Sequence, residues 1–212
     1  MSFVIPQPTS STFSLLTVCT GNICRSPLAE LYLRRGLSPL DDVTVSSAGT
    51  MAVDDDVMPE QARALARSFD LEPDEHRARF LFERDVRGAD LVIALAREHR
   101  RAVVSMHPRA SRYTFTLREA ARLARDVTDV QLADALPTGA SSVADRLRAT
   151  VALLASRRGS VEAPNDPLDD DVVDPYRRSD ETFAESGRQL VPAADVLVDL
   201  LTRATTLAGG DR

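Results

Sequence analysis

The chain has 212 residues, 26 of them basic and 32 acidic, with a formal charge of −6 at pH 7 and 43% hydrophobic residues. That apolar content suffices for a buried core and excludes wholesale disorder, and the length suits one domain or a domain carrying an insertion. The acidic balance argues against non-specific nucleic-acid binding, and no apolar run approaches the ~18 residues of a membrane span.

Met1–Ser14 lacks a basic region followed by an apolar core, so no secretory signal is expected. Residues 1–11 are polar and Pro-containing and read as a loose tail. Phe13–Val18 is apolar and β-prone, a buried strand. Ser26 suits an N-cap and Pro27 a first helical position, so a helix is predicted from there to a stop at Gly36. Val43–Ser46 is a second strand and Pro59–Phe69 a helix. Ala89–Leu95 (ADLVIAL) is a third strand, apolar on both faces. Arg97–Met106 is helical and ends before Pro108. Arg112–Thr116 is a fourth strand, followed by a helix over Leu117–Arg125. Strands alternating with helices imply right-handed βαβ units and a parallel sheet.

The pattern then loosens. Within 126–171 an amphipathic stretch from Val143 to Ser156 places Val143, Leu147, Val151 and Leu154 on one face. Glu162–Asp174 is acidic and reads as a solvated linker. Helical period returns over Asp180–Leu201, with Phe183, Leu190, Ala194, Leu197 and Leu201 on one stripe. The expected fold is a three-layer αβα sandwich: a four-stranded parallel sheet with helices on both faces, plus a mainly helical insertion. The expected organisation is a single domain over 1–212, with 126–171 as insertion and linker.

Chemistry concentrates between the first strand and the first helix. The two cysteines, Cys19 and Cys24, stand alone, and the three histidines lie far downstream. That is neither a disulfide scaffold nor a zinc site, and no metal or cofactor is expected. Taken alone, the pair could be inert packed thiols. Their surroundings argue otherwise. Cys19-Thr20-Gly21-Asn22-Ile23-Cys24-Arg25-Ser26 joins the carboxyl end of a strand to a helix N-terminus, where α/β sheets bind ligands. Gly21 and Asn22 tolerate positive φ, so successive N–H groups can turn inward as a cradle for a phosphate dianion. Arg25 can grip two phosphate oxygens at once. The same positive field favours Cys19 as a thiolate, and Ser26 could donate to its sulfur. A thiolate at the floor of a phosphate cradle is a nucleophile aimed at phosphorus.

The run CTGNICRSP after an apolar strand resembles the signature loop of the low-molecular-weight protein tyrosine phosphatases. Ser47-Ala48-Gly49-Thr50, His76-Arg77-Ala78-Arg79 and Asp174-Pro175-Tyr176 also resemble that family's segments, and the resemblance covers 13–125 and 172–203. It implies a two-step mechanism. Cys19 forms a phosphocysteine, Asp174 serves as general acid and then general base, and Arg25 clamps the phosphate. Thr20, Gly21, Asn22, Ile23, Cys24, Ser26 and Tyr176 would contact substrate. Asn22 would prop the loop against Ser47, with His76 structural, and Cys24 could form a reversible disulfide with Cys19.

Asp174 has competitors in Asp166, Asp169, Asp170 and Asp171, but it alone combines Pro, Tyr and a following helix. Asp54-Asp55-Asp56 would be a surface loop at the pocket rim. The sequence also departs from the family pattern. Met51-Ala52-Val53-Asp54 lacks the usual aromatic wall, and Arg177 follows Tyr176 where relatives often carry a second aromatic. Relatives that act on phosphoarginine tend to have Thr where this chain has Ile23; an apolar Ile favours an aryl ring. The expected substrate is therefore a phosphotyrosine-containing protein or a small aryl phosphate. Phosphoarginine hydrolysis and phosphate binding without turnover are the alternatives. Thioredoxin-linked arsenate reduction is set aside because no Cys follows Cys24. Neither nucleic acid nor membrane is an expected partner. Arg-only usage and the prokaryote-like loop suggest a cytoplasmic bacterial enzyme, release from the cell being a further possibility for this family.

Overall fold

The computed structural model describes residues 11–40, 42–138 and 141–207. The expected loose tail at 1–11 therefore lies almost wholly outside the described residues. Four strands, β1 (Phe13–Cys19), β2 (Val43–Gly49), β3 (Leu91–Ala94) and β4 (Thr114–Thr116), form one parallel sheet in the order β2-β1-β3-β4. The chain steps from β1 outward to β2, then returns to β3 on the other side. The carboxyl end of β1 is thus the topological switch point, where connections leave in opposite directions and open a crevice.

Side chains of β1 alternate across the sheet as the strand period requires. Phe13, Leu15 and Cys19 enter the larger core, and Leu16 and Val18 enter the smaller one. β3 does the same, with Leu91 and Ile93 on one face and Val92 on the other. Burial on both faces explains why these strands read as continuous apolar runs. The larger core lies beneath α1 (Arg25–Gly36), α2 (Glu60–Arg67), α5 (Leu117–Ala124), α7 (Val143–Arg157) and α8 (Asp180–Thr206). The smaller one lies beneath α3 (Glu83–Gly88) and α4 (Arg97–Met106).

Two helices were not anticipated: α3 and α6 (Asp129–Ala135). Each has fewer than eight residues, too short for a helical period to show. Their start signals were present, since Thr128 and Gln131 form a reciprocal capping box on α6. The first helix also begins differently. α1 starts at Arg25 with Cys24 at the N-cap, so Ser26 lies inside the first turn and caps nothing. The buried stripe of α7 is Ala144, Leu147, Thr150, Val151 and Leu154, with Val143 half-buried at its edge.

Arginines bind α7 to the sheet. Arg148 donates to Asp90 at 2.8 Å and to the Thr12 carbonyl at 3.1 Å, while Asp90 accepts from the backbone N–H of Ser14 at 3.0 Å. Just past α7, Arg158 donates to Glu119 at 2.7 Å and to the carbonyl of Ser111 at 2.7 Å, with its guanidinium 4.1 Å from the centre of the Phe115 ring. The five donors of a guanidinium make such multiple contacts possible, where an ammonium has three.

The segment expected to be a solvated linker is held at its carboxyl end. Asp170 pairs with Arg122 at 2.9 Å, and Asp171 accepts from the Arg97 N–H at 2.7 Å and from its guanidinium. The Val172 N–H donates to the Leu95 carbonyl at 2.9 Å, bringing the chain across the ends of the strands. Arginines on the helices, invisible to local composition, turn an acidic stretch into a fixed strap.

Leu147 is fully buried in the larger core. Leu147→Ala should lower stability by about 2–5 kcal/mol in urea unfolding, with the transition remaining single. A separate, earlier transition would show that α7 folds apart from the sheet.

Candidate functional site

The loop 20–24 leaves the buried end of β1 and enters α1, so it lies at the switch point. Asn22 carries the turn, with φ at 53° in the left-handed region. Its backbone N–H points to Cys19 Sγ at 3.3 Å. The Asn22 side chain is fully used. Nδ2 donates to Ser26 Oγ at 2.9 Å and to Ser47 Oγ at 2.7 Å, and Oδ1 accepts from the Arg79 N–H at 2.9 Å. Ser47 in turn donates to the Glu30 carboxylate, which also pairs with Arg34. His76 Nε2 donates to the Asn22 carbonyl at 2.7 Å. Burial depresses the imidazolium form of His76, opposed by that hydrogen bond and by Glu30.

Gly49, at the end of β2, makes the arrangement sterically possible. A Cβ there would stand 2.5 Å from the Thr20 carbonyl oxygen and 2.9 Å from the Asn22 nitrogen. Only a residue without a side chain lets β2 approach the loop this closely.

Cys19 is 2% exposed at the floor, with Ser26 Oγ 2.9 Å from its sulfur. Ser26 Oγ accepts from Asn22 and keeps its own proton available to the sulfur. The Arg25 side chain, 4% exposed, donates to the Val172 carbonyl at 3.2 Å and pairs with Asp174 at 3.0 Å. The Asp174 side chain is 53% exposed and accepts from the Tyr176 N–H at 3.2 Å. Cys19, Thr20, Gly21, Ile23, Cys24 and Arg25 line a cavity of about 280 Å³ together with Met51, Val53, Asp56, Asp174 and Tyr176.

The structure therefore gathers the predicted residues around one opening. Asn22 and Ser26 sit behind the floor, and Ser47 and His76 lie on the far side of the loop. The competing acidic residues stay outside: Asp170 and Asp171 are engaged by Arg122 and Arg97, and Asp166 caps a short 3-10 turn. Of the acidic triplet, Asp56 reaches the cavity wall, while Asp54 accepts from the Phe80 N–H at 2.6 Å. Among the described residues, no cluster of three or more His, Cys, Asp or Glu could hold a metal ion.

Cys24 is buried, and burial pushes its thiol up to about 12, with Cys19 and Asp174 adding to the rise and Arg25 opposing it. Sequence reasoning passed over Arg97, the Val172 carbonyl and above all His99, each brought in from a distant element. His99 Nε2 lies 2.9 Å from Thr20 Oγ1, and the ring is 2% exposed. Burial and the nearby Arg25 push it down to about 3, opposed by Asp171.

Comparisons with known proteins agree with this geometry. The sequence profile of the low molecular weight phosphotyrosine protein phosphatases matches residues 14–157. The low molecular weight protein-tyrosine-phosphatase PtpB of Staphylococcus epidermidis is 35% identical over 105 residues, covering 50% of this chain and 71% of its own length. A protein-arginine-phosphatase of Geobacillus stearothermophilus is 33% identical over 107 residues, covering 50% and 70%. Among solved structures, a low molecular weight protein tyrosine phosphatase from T. tengcongensis superposes with a TM-score of 0.61 at 27% identity, over 89% of this chain and 99% of the other. The YwlE arginine phosphatase from Geobacillus stearothermophilus has the same fold, with a TM-score of 0.62 at 23% identity over 90% and 93%. The chain belongs to the low molecular weight phosphotyrosine protein phosphatase family. It is a phosphatase of that family with an αβα fold.

Two expectations follow. In Cys19→Ser protein the remaining thiol, Cys24, should resist iodoacetamide at about pH 7 until the protein is unfolded; rapid labelling of the native variant would contradict its burial. Both His76 and His99 gain protons more readily unfolded, near a pKa of about 6.5, than folded. Stability should therefore fall as pH drops below about 6.5. Urea unfolding at about pH 7 and about pH 5 should show this loss, and His99→Gln should reduce it.

Proposed function

We propose that this phosphatase hydrolyses phosphotyrosine-type phosphomonoesters through a phosphocysteine intermediate. The observation that carries the reading is the meeting of Cys19, Arg25 and Asp174 at one cavity whose remaining walls include apolar Ile23, Met51, Val53 and the Tyr176 ring. Such walls suit an aryl group, while Asp56 is the further carboxylate of the cavity that a guanidinium would have to use.

In the first step the Cys19 thiolate attacks phosphorus and the bond from phosphorus to the ester oxygen breaks. Asp174 gives its proton to the leaving oxygen, releasing the tyrosine hydroxyl. In the second, water attacks the phosphocysteine, Asp174 takes its proton, and the sulfur–phosphorus bond breaks to return the thiolate and inorganic phosphate. Arg25 and the loop N–H groups stabilise the equatorial oxygens in both steps. The Ser26 hydroxyl, held by Asn22, supports the sulfur as a leaving group. Asp174 now rests on Arg25. An incoming phosphate dianion takes over that guanidinium and frees the half-exposed carboxyl to reach the ester oxygen.

The substrate implied is a phosphotyrosine-containing protein or a small aryl phosphate. A cytoplasmic bacterial setting rests on the chain's Arg-only composition and its bacterial relatives. Relatives named for arginine phosphatase activity make phosphoarginine the second reading, and Ile23 is the residue that argues against it.

Phosphate release from phosphotyrosine and phosphoarginine peptides, measured side by side, tests the assignment. Phosphotyrosine should turn over, and Cys19→Ser should abolish it. Asp174→Asn should lower kcat by about 10²–10⁴-fold, most for poor leaving groups. Ile23→Thr should shift the ratio toward phosphoarginine. A wild-type preference for phosphoarginine would reverse the substrate reading, and release undiminished in Cys19→Ser would end the phosphocysteine mechanism.

A further inference from the structure

His99 takes no part in the mechanism above, yet it is built into the floor of the site. It lies in the first turn of α4, buried beside the loop. Its Nε2 stands 2.9 Å from Thr20 Oγ1 and 3.4 Å from the Glu98 carboxylate. Its Nδ1 is buried with no hydrogen-bond partner among the described residues.

These contacts decide where the ring proton sits. A carboxylate only accepts and a hydroxyl oxygen can accept, so a proton on Nε2 would face two acceptors. A proton on Nδ1 would instead bury an unpaired N–H and set the Nε2 lone pair against the carboxylate. A second proton is disfavoured by burial and by Arg25. The tautomer these contacts favour carries its proton on Nε2, where it can donate to the Thr20 oxygen. A hydroxyl carries one proton, and with its oxygen accepting from His99 that proton is free to turn elsewhere. Among the described residues, the Thr20 hydroxyl has no other hydrogen-bond partner. Thr20 lines the same cavity as Cys19 and Arg25.

We propose that His99 is a positioning residue of the phosphoryl site: its Nε2–H fixes the Thr20 oxygen so that the Thr20 O–H donates into the cavity, to a phosphoryl oxygen. This rests on reading the cavity as a phosphoryl site. No bond to phosphorus is made or broken by either residue. The pair adds one aimed side-chain donor to the backbone donors of the loop. Placing the donor in advance avoids reorientation when negative charge builds on the phosphoryl oxygens.

Three readouts test it. NMR of the imidazole nitrogens in the ligand-free protein should show the Nε2–H tautomer of His99, whatever the enzyme's substrate. Calorimetry with inorganic phosphate should show weaker binding to Thr20→Val than to wild type, again without need of turnover. In kinetics with an aryl phosphate, Thr20→Val and His99→Leu should each lower kcat/KM by about ten- to a hundredfold. The double variant should lose no more than either single one. His99→Gln, whose amide N–H can take the place of Nε2–H, should restore most of the activity, which a purely packing role would not require. Should His99→Leu fail to fold, Thr20→Val and His99→Gln still decide the matter. An Nδ1–H tautomer, Thr20→Val with wild-type phosphate binding and kcat/KM, or additive losses would each overturn the proposal. Failure of wild type to release phosphate would count against the proposed function instead, with the tautomer and phosphate binding still testing the role of His99.

Discussion

The site depends on one amide. Asn22 stands in a backbone conformation that L-residues seldom adopt, and the strain is offset because every polar atom of its side chain is satisfied. Through those bonds the loop is tied to α1 by Ser26, to β2 by Ser47 and to the segment before α3 by Arg79. His76 holds the Asn22 carbonyl from outside. The side chain and the carbonyl of Asn22 are thus both anchored behind the loop. Gly49 completes the constraint by letting β2 come within contact of the loop backbone. A cradle of backbone donors needs this kind of outside support, because donors that must reorganise during reaction lose much of their electrostatic value.

The cavity is assembled from both sides of the switch point. The loop after β1 supplies Cys19 and Arg25, while the strap before α8 supplies Asp174. The strap is not carried by its own secondary structure. It is pinned by Arg97 and Arg122 from the helices, by the Leu95 carbonyl after β3, and by Arg25 itself through the Val172 carbonyl. Arg25 therefore touches both the strap, at the Val172 carbonyl, and the Asp174 carboxylate, so one guanidinium places both. The helices between β4 and the strap do not form a wall of the cavity. They enlarge the core beneath the sheet, with α7 packed on α8 and tied to β1 through Arg148.

Charge and apolar surface divide the opening between them. Its floor carries Cys19 and the Arg25 guanidinium, and its walls include apolar Ile23, Met51 and Val53, the Asp56 carboxylate and the ring of Tyr176. Arg177 lies over that ring, its guanidinium 5.0 Å from the centre, so the tyrosine presents one face to a cation and leaves the other for the cavity. Without an aromatic in the 51–54 segment, hydrophobic contact there falls to flexible Met51 and to Val53.

Local sequence was sufficient wherever the determining forces were local. The apolar runs of β1 and β3 were legible as strands covered on both faces, and their alternation with helices pointed to a parallel sheet. The run from Cys19 to Ser26 stood out as a candidate site because its glycine, asparagine and arginine act within a few residues of one another. Asp174 was separable from its acidic neighbours by the Pro and Tyr beside it. The short helices α3 and α6 escaped because fewer than eight residues carry no clear period, and Ser26 was misread as a cap because nearest-neighbour preference could not foresee the pull of the Cys19 sulfur and Asn22. The fixing of the acidic strap and the burial of His99 beside Thr20 were decided by tertiary structure alone. Each joins groups 48 to 79 positions apart, and a hydrogen bond across that separation leaves no trace in the order of residues until the sheet brings its partners together.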